Sequence, residues 1–254
     1  MEIRFDGKVV FVTGASTGIG AATAIAFGTS GAKVVIHYNS SKKEAEAVEK
    51  AIKAKNGGET FLVKADVLNA AETKEMVKAV VDKFGRIDVL VNNAGGLLSR
   101  HPIEEMPEDL YTRVMDLNMT STFRICKFVI PYMKKTGGSI INMSSMAARN
   151  GGGGGAVIYA SSKAAVSTLT RGLAKELAPF KIRVNAVAPG IILTPFHDKY
   201  TAPEQLKGMI AQIPLARGAR AEEIAGPMLF LASEELAGFI TGEVLEINGG
   251  QLMS

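Results

Sequence analysis

The sequence predicts an α/β fold: a doubly wound, seven-stranded parallel sheet with helices on both faces, formed as a single domain over residues 1–254. Three observations predict it. Short apolar runs rich in β-branched residues alternate with longer amphipathic stretches from end to end. A glycine-rich turn follows the first run and opens a helical pattern. No linker-like shift in composition divides the chain, and its length suffices for one sizeable core.

The runs KVVFVT (8–13), KVVIHY (33–38), TFLVKA (60–65), IDVLVN (87–92), SIINMS (139–144), IRVNAV (182–187) and VLEING (244–249) read as the strands. Their continuous apolar character is that of parallel strands buried on both faces. Between them, SKKEAEAVEKAIKAK (41–55) and AETKEMVKAVVDKF (71–84) place apolar residues at helical spacing with charges opposite. Gly31 and Gly85 stand where left-handed helix ends fit. Two segments break the rhythm: the glycine run 151–155, and residues 189–219 with Pro189, Pro195, Pro203 and Pro214. Each follows a strand, where ligands sit in open α/β sheets, so 189–219 is the expected substrate loop.

Apolar residues make up 47% of the chain and charged ones 21%, a globular mixture that excludes a disordered chain. Lys and Arg exceed Asp and Glu by four without forming a run, so no nucleic-acid partner is expected. The excess suits an ordinary solvated surface or an anionic cofactor or substrate. A single cysteine, Cys126, excludes an intrachain disulfide framework. The absence of a membrane-length apolar run or signal-peptide pattern points to a cytoplasmic protein with no membrane partner. His37, His101 and His197 lie far apart, so no metal is expected.

TGASTGIG, Thr13 to Gly20, ends the first strand. Its glycines allow a tight turn and close backbone approach, and free amides at the helix start can receive a pyrophosphate; a purely structural turn has the same composition. Asp66 ends the third strand and Asn92-Asn93-Ala94-Gly95 the fourth. Each is compatible with simple turn chemistry, but together they mark successive strand ends.

With Asn118, Ser145, Tyr159-xxx-Lys163 and the PG-xxx-T segment from Pro189 to Thr194, these motifs occur in the order of the short-chain dehydrogenase/reductase family, which the chain resembles over nearly its whole length. The resemblance implies a Rossmann-type nucleotide site built from Gly14, Ser16, Thr17, Gly18, Ile19 and Gly20. It implies that Asp66, with Val67, contacts the adenine, and that Asn93, with Ala94 and Gly95, lies at the adjoining ribose. Pro189, Gly190, Ile192 and Thr194 would hold the nicotinamide end. It also implies a homotetramer, paired through helices within 118–133 and 156–177 and through the C-terminal strand. The GGGGG, FHD and ING-GQL segments resemble those of bacterial uronate-type reductases of the family.

Tyr159 and Lys163 stand four apart in a helical pattern, so both reach one side of the helix; by itself such a pair is often only a helix surface. A free tyrosine titrates near ~10. A nearby ammonium favours the tyrosinate, which makes Lys163 an activator of Tyr159. The resemblance implies that Ser145 bonds the substrate oxygen, with Ser144 as the alternative. Ser145 precedes Tyr159 by fourteen positions, one more than is common in the family, which points to an extra residue in the glycine loop. Asn118 would bend its helix and hold a water that relays protons from Lys163. Lys163 would grip the nicotinamide ribose, and Tyr159 would protonate the reduced carbonyl.

Tyr38 occupies the place where NAD-dependent relatives carry Asp, and Asn39, Ser40, Ser41 and Lys42 follow with neutral donors and a positive charge. NADP(H) is therefore the expected cofactor, with NAD(H) also accepted, since Thr17 and Asn39 replace the arginines common in NADP-using relatives. Tyr38→Asp is expected to reverse the preference. Arg149, His197 and Lys199, with Arg100 and His101 nearby, are the candidate substrate contacts; each alone also fits a solvated surface. Basic loops suit a sugar, uronate or keto acid. A 3-oxoacyl-(acyl-carrier-protein) reductase is the alternative enzyme, and a catalytically silent nucleotide-binding module the alternative of another class.

Overall fold

In the computed structural model, which describes residues 2–253, the seven apolar runs form seven strands. These are β1 (Val9–Val12), β2 (Lys33–Tyr38), β3 (Thr60–Lys64), β4 (Val89–Asn92), β5 (Gly138–Met143), β6 (Ile182–Pro189) and β7 (Val244–Ile247). They make one sheet in the order β3-β2-β1-β4-β5-β6-β7, with every neighbouring pair parallel. The connecting helices are α1 (Gly18–Thr29), α2 (Lys42–Ala54), α3 (Ala70–Phe84), α4 (Glu108–Met115), α5 (Ser121–Met133), α6 (Ala147–Asn150), α7 (Val157–Leu177), α8 (Pro195–Tyr200), α9 (Pro203–Ala211), α10 (Glu222–Ala232) and α11 (Glu234–Ala237).

Alternation along the central strands explains why no polar face appears in their sequence. Val10 and Val12 of β1 pack with Phe27 of α1, Val48 and Ile52 of α2, and Met228 of α10. Val9 and Phe11 enter the opposite layer with Val77 and Val80 of α3, Val129 of α5 and Leu177 of α7. Period-two side chains buried on both faces leave no room for charge. Among the described residues, no helix is long and apolar enough to cross a membrane.

Gly31 and Gly85 end their helices at φ +90° and +73°, in the left-handed region where a side chain strains the backbone. All five glycines of 151–155 also have positive φ, which explains why glycine fills those positions of the connection from α6 to α7. The segment 189–219 is not one long loop, as its weak periodicity suggests. It holds α8 and α9, each with a proline in its first turn, so Pro195 and Pro203 start helices rather than break them. Neighbouring β1 and β4 send their connections in opposite directions, and the crevice beyond their carboxyl ends is the ligand position of such sheets.

At the other end of the sheet, the buried Arg183 of β6 closes the C-terminus of α10. Its guanidinium donates to the carbonyls of Leu231, Ala232, Ser233 and Ile240 at 2.7–3.3 Å. It also meets Glu234 at 3.2 Å, but that carboxylate is 84% exposed and well screened. Arg183→Leu is therefore expected to cost about 3 kcal/mol by leaving buried carbonyls unpaired, whereas Glu234→Gln costs less than about 1 kcal/mol. Urea unfolding of the two variants checks the contrast.

Candidate active site

A cavity of about 620 Å³ opens at the β1/β4 crevice and runs from the glycine turn to the loops beyond β5 and β6. Its nucleotide end begins with Gly14 and Gly18, at φ +60° and +55°. A Cβ on Gly20 would collide with the Gly14 carbonyl, and one on Gly14 would stand 3.0 Å from Ala94 Cα. The turn thus closes to a radius that only glycine permits. Thr17 caps α1 without a side-chain hydrogen bond, and the first turn of α1 carries no acidic residue. By contrast, the side chain of Asn69 accepts two amides at the start of α3. The start of α1 is left as a cluster of free amides with a favourable dipole, which fits a pyrophosphate.

The turn is braced from β4. Thr13 Oγ1 accepts the amides of Asn93 and Ala94, both at 3.0 Å. Asn93 Nδ2 donates to the carbonyls of Thr13 and Gly14 at 2.9 and 3.0 Å. Asn93 borders the cavity, yet its amide group is spent on the turn rather than turned to a ligand. Asp66 and Val67 line the same end, followed by Ala94 and Gly95. Across the cavity, Pro189, Gly190, Ile192 and Thr194 form the wall, and Thr194 packs so closely on Gly18 that a Cβ there would lie 3.4 Å away. Ser16, Thr17 and Ile19 complete the turn's lining.

At the end of β2 the expectation for Tyr38 needs correction. Strand alternation buries its ring in the core with Ala45 and Val48 of α2, and it does not line the cavity. Asn39, Ser40 and Ser41 do, with Asn39 and Ser40 exposed. His37, which sequence reasoning missed as a site residue, also lines it. Among the residues lining this end the only carboxylate is that of Asp66.

Ser145, Tyr159 and Lys163 converge midway along the cavity. Tyr159 and Lys163 sit one turn apart on α7, and Ser145 follows β5. Of the serine pair, Ser144 is spent internally, 2.7 Å from Ser167 Oγ and 3.2 Å from the Lys163 carbonyl it donates to. Ser145 Oγ accepts the Ala147 amide at 3.1 Å, and its hydroxyl faces the Tyr159 phenol. Burial pushes the Tyr159 phenol above its ordinary value, against the opposing pull of the Ser145 hydroxyl. Burial likewise brings Lys163 down to about 7. Lys163 Nζ donates to the Met143 carbonyl at 2.8 Å and stands 5.8 Å from the Tyr159 ring centre. The expected lowering of Tyr159 by a lysine ammonium is thus not seen here, because the cavity penalises charge on both groups. A phenol kept protonated at neutral pH is a competent proton donor.

Asn118 is fully buried in a π-helical turn, Asp116–Thr120, which gives the predicted helix distortion. Its Nδ2 donates to the carbonyls of Gly96 and Val114, both at 2.9 Å, and its Oδ1 accepts the Gly96 amide at 3.1 Å. It does not line the cavity. Its side chain fixes the Gly95–Gly96 segment, and a Cβ on Gly95 would fall 2.6 Å from Asn118 Oδ1 and 3.2 Å from Lys163 Nζ.

The basic candidates divide. Arg149 turns away to Glu246 at 3.8 Å, and Lys199 lies over the Tyr200 ring; neither lines the cavity. The buried His197 does, with Nδ1 3.1 Å from Thr201 Oγ1. Burial and the neighbouring Arg100 charge lower its pKa. Arg100 lines the cavity as well, donating to the carbonyls of Tyr200, Gly153 and Gly154 at 3.1–3.3 Å. It so ties the loop after β4 to both the glycine run and α8. The wall also contains Leu97, Phe196 and Met209, apolar residues that no local pattern marked.

A family model described as Enoyl-(Acyl carrier protein) reductase matches residues 14–251. The chain is 44% identical over 251 residues to a 3-oxoacyl-(acyl-carrier-protein) reductase of Synechocystis sp., covering 97% of each protein. Its fold matches a short-chain dehydrogenase/reductase of unknown function from Caenorhabditis elegans, crystallised with cofactor, at a TM-score of 0.92 and 33% identity over 98% of this chain and 96% of the other. It matches an NADH-dependent reductase responsible for alginate metabolism at 0.89 and 36% identity, over 98% of both. On this evidence the chain belongs to the short-chain dehydrogenase/reductase family, NAD(P)-dependent oxidoreductases acting on a carbonyl or alcohol group.

Proposed function

We propose that this protein is an NADP(H)-preferring reductase of a small polar carbonyl compound, of the sugar, uronate or keto-acid kind, with Tyr159 as proton donor. The observation that carries the reading is the convergence of Ser145, Tyr159 and Lys163 on the cavity that starts at the glycine turn. A bound nicotinamide cofactor would supply the hydride. The free amides at the start of α1 would hold its pyrophosphate, Asp66 and Val67 would border its adenine, and Thr194 would flank its nicotinamide end. Ser145 donates to the carbonyl oxygen, and Tyr159 delivers its proton to the same oxygen as negative charge develops there. Lys163, titrating near neutrality, would return a proton to Tyr159, taking its own replacement from water, and would contact the cofactor's ribose. Asn118 acts as a positioning residue through Gly95 and Gly96. The segment 189–219 serves as the substrate wall through Phe196, His197 and Met209. Exposed Tyr111, Phe123 and Val157 on α4, α5 and α7 support assembly as a homotetramer. Tyr159→Phe is expected to leave cofactor binding intact and to lower turnover by at least ~100-fold; near-normal turnover would remove Tyr159 from the chemistry.

The cofactor preference rests on Asn39, Ser40 and Ser41, neutral donors where a carboxylate would repel a 2′-phosphate. Lacking an arginine fork, the site prefers NADPH by a modest factor of about ten. Because Tyr38 is a core residue, the informative substitution is Asn39→Asp, which brings a carboxylate to the cavity without burying it. Steady-state kcat/KM with both cofactors should favour NADPH in the wild type and NADH in the variant.

Arg100 and His197 support an anionic or highly hydroxylated substrate. The Synechocystis relative favours a second reading, a 3-oxoacyl-(acyl-carrier-protein) reductase, for which the apolar Leu97, Phe196 and Met209 would border an acyl chain. A screen of NADPH oxidation over keto acids, uronates, sugar aldehydes and acetoacetyl thioesters separates them. On the first reading Arg100→Gln raises KM for acidic substrates about tenfold more than for neutral ones, while Arg149→Gln and Lys199→Gln leave it unchanged. Highest turnover on the thioester selects the second.

A further inference from the structure

We propose that His37 is a positioning residue for the nucleotide site: its imidazole is the acceptor that fixes the first amide of the glycine turn. His37, on β2, is only 2% exposed and borders the nucleotide end of the cavity. Its Nδ1 accepts the Gly14 amide at 3.0 Å, and its Nε2 lies 3.0 Å from the Ala65 carbonyl. A nitrogen facing an N–H must be unprotonated, and a nitrogen facing a carbonyl must carry hydrogen. The two partners therefore select one neutral tautomer, with the proton on Nε2. Burial, which pushes the imidazole pKa down, acts in the same direction. The His37 main chain adds a second tie, its carbonyl accepting the Ala15 amide at 2.8 Å.

One side chain thus joins the carboxyl ends of β1, β2 and β3. Its place is set by Gly14, whose positive φ takes its amide out of the regular ladder. Asn93 holds the Gly14 carbonyl and His37 holds the Gly14 amide, so both peptide groups of this residue are pinned. The free amides at the start of α1 begin only four residues further on, at Gly18, and their aim depends on that anchor. The proposal goes beyond the choice between NADP and NAD, since the pyrophosphate is common to both.

The test is direct binding of NADPH to the enzyme without substrate, by calorimetry, with kcat measured separately at saturating cofactor. His37→Phe fills the space but offers no acceptor, and His37→Gln reaches towards Ala65 but not Gly14. Both are expected to weaken NADPH binding about tenfold. His37→Asn keeps an acceptor at the Nδ1 position and should stay within about threefold of the wild type. kcat should change less than about threefold in all of them, because His37 makes no contact with Ser145, Tyr159 or Lys163. Wild-type affinity in His37→Phe overturns the proposal, as does an Asn variant as weak as the Phe one, which would mark His37 as filler. Nitrogen NMR of the wild type decides independently of any variant's folding: a proton on Nε2 and none on Nδ1 is expected, and the opposite tautomer refutes the assignment.

Discussion

The constraint on which the rest of the site depends is the junction of β1 and β4. A helix start can hold a pyrophosphate only if its amides have no other partner, and free amides in a mobile loop would be hydrated and disordered. Here the turn is made rigid from outside. Thr13 and Asn93 exchange hydrogen bonds across the junction, and the side chain of Asn93 fastens the Gly14 carbonyl. Glycine is needed because Gly20 crosses close over Gly14, and two positions take positive φ. The rigidity of the sheet is so transmitted to a few peptide groups, a preorganisation that costs nothing when ligand arrives.

The same economy governs the reactive end. Lys163 is buried on α7 between the Met143 carbonyl and Gly95. The space it needs exists because Gly95 lacks a side chain and Asn118 holds Gly96 in place. The π-helical turn at Asp116–Thr120 costs α4 and α5 their continuity but lets Asn118 reach inward. Desolvation then sets both titrations, bringing the lysine towards neutrality while holding the phenol protonated. The two titrations are thereby moved apart, so that near pH 7 the phenol holds its proton while the lysine exchanges its own.

What was legible in the sequence follows from how local each feature is. The strands were legible because burial on both faces leaves continuous apolar runs, and Tyr159 and Lys163 because four residues make one helical turn. The glycine turn was legible because its backbone tolerates almost nothing else. Tyr38 was misjudged although alternation along β2 places it opposite His37; with both faces buried, the run alone does not say which of the two borders the cavity. Arg149 turned out to pair with Glu246, and Arg100 with carbonyls near residues 153 and 200. Such partners are distant in sequence, and no period or motif marks them. The helices within 189–219 were missed because prolines, read as breakers, occupy helix starts.

Arg100 shows why the substrate end is harder to read than the nucleotide end. The nucleotide end is built from backbone groups, whose placement is set by glycines and strand order and so leaves a trace in sequence. The substrate end is built from side chains of three separate connections: Leu97 and Arg100 after β4, the glycine run after β5, and Phe196 and His197 after β6. Arg100 fastens these together by donating to main-chain carbonyls of the other two. Its charge is thereby brought to the cavity wall by contacts that are indifferent to the residue types they meet. The shape of this end of the cavity therefore resides in how the three connections are tied, and the carbonyls that tie them leave no mark on the amino-acid sequence.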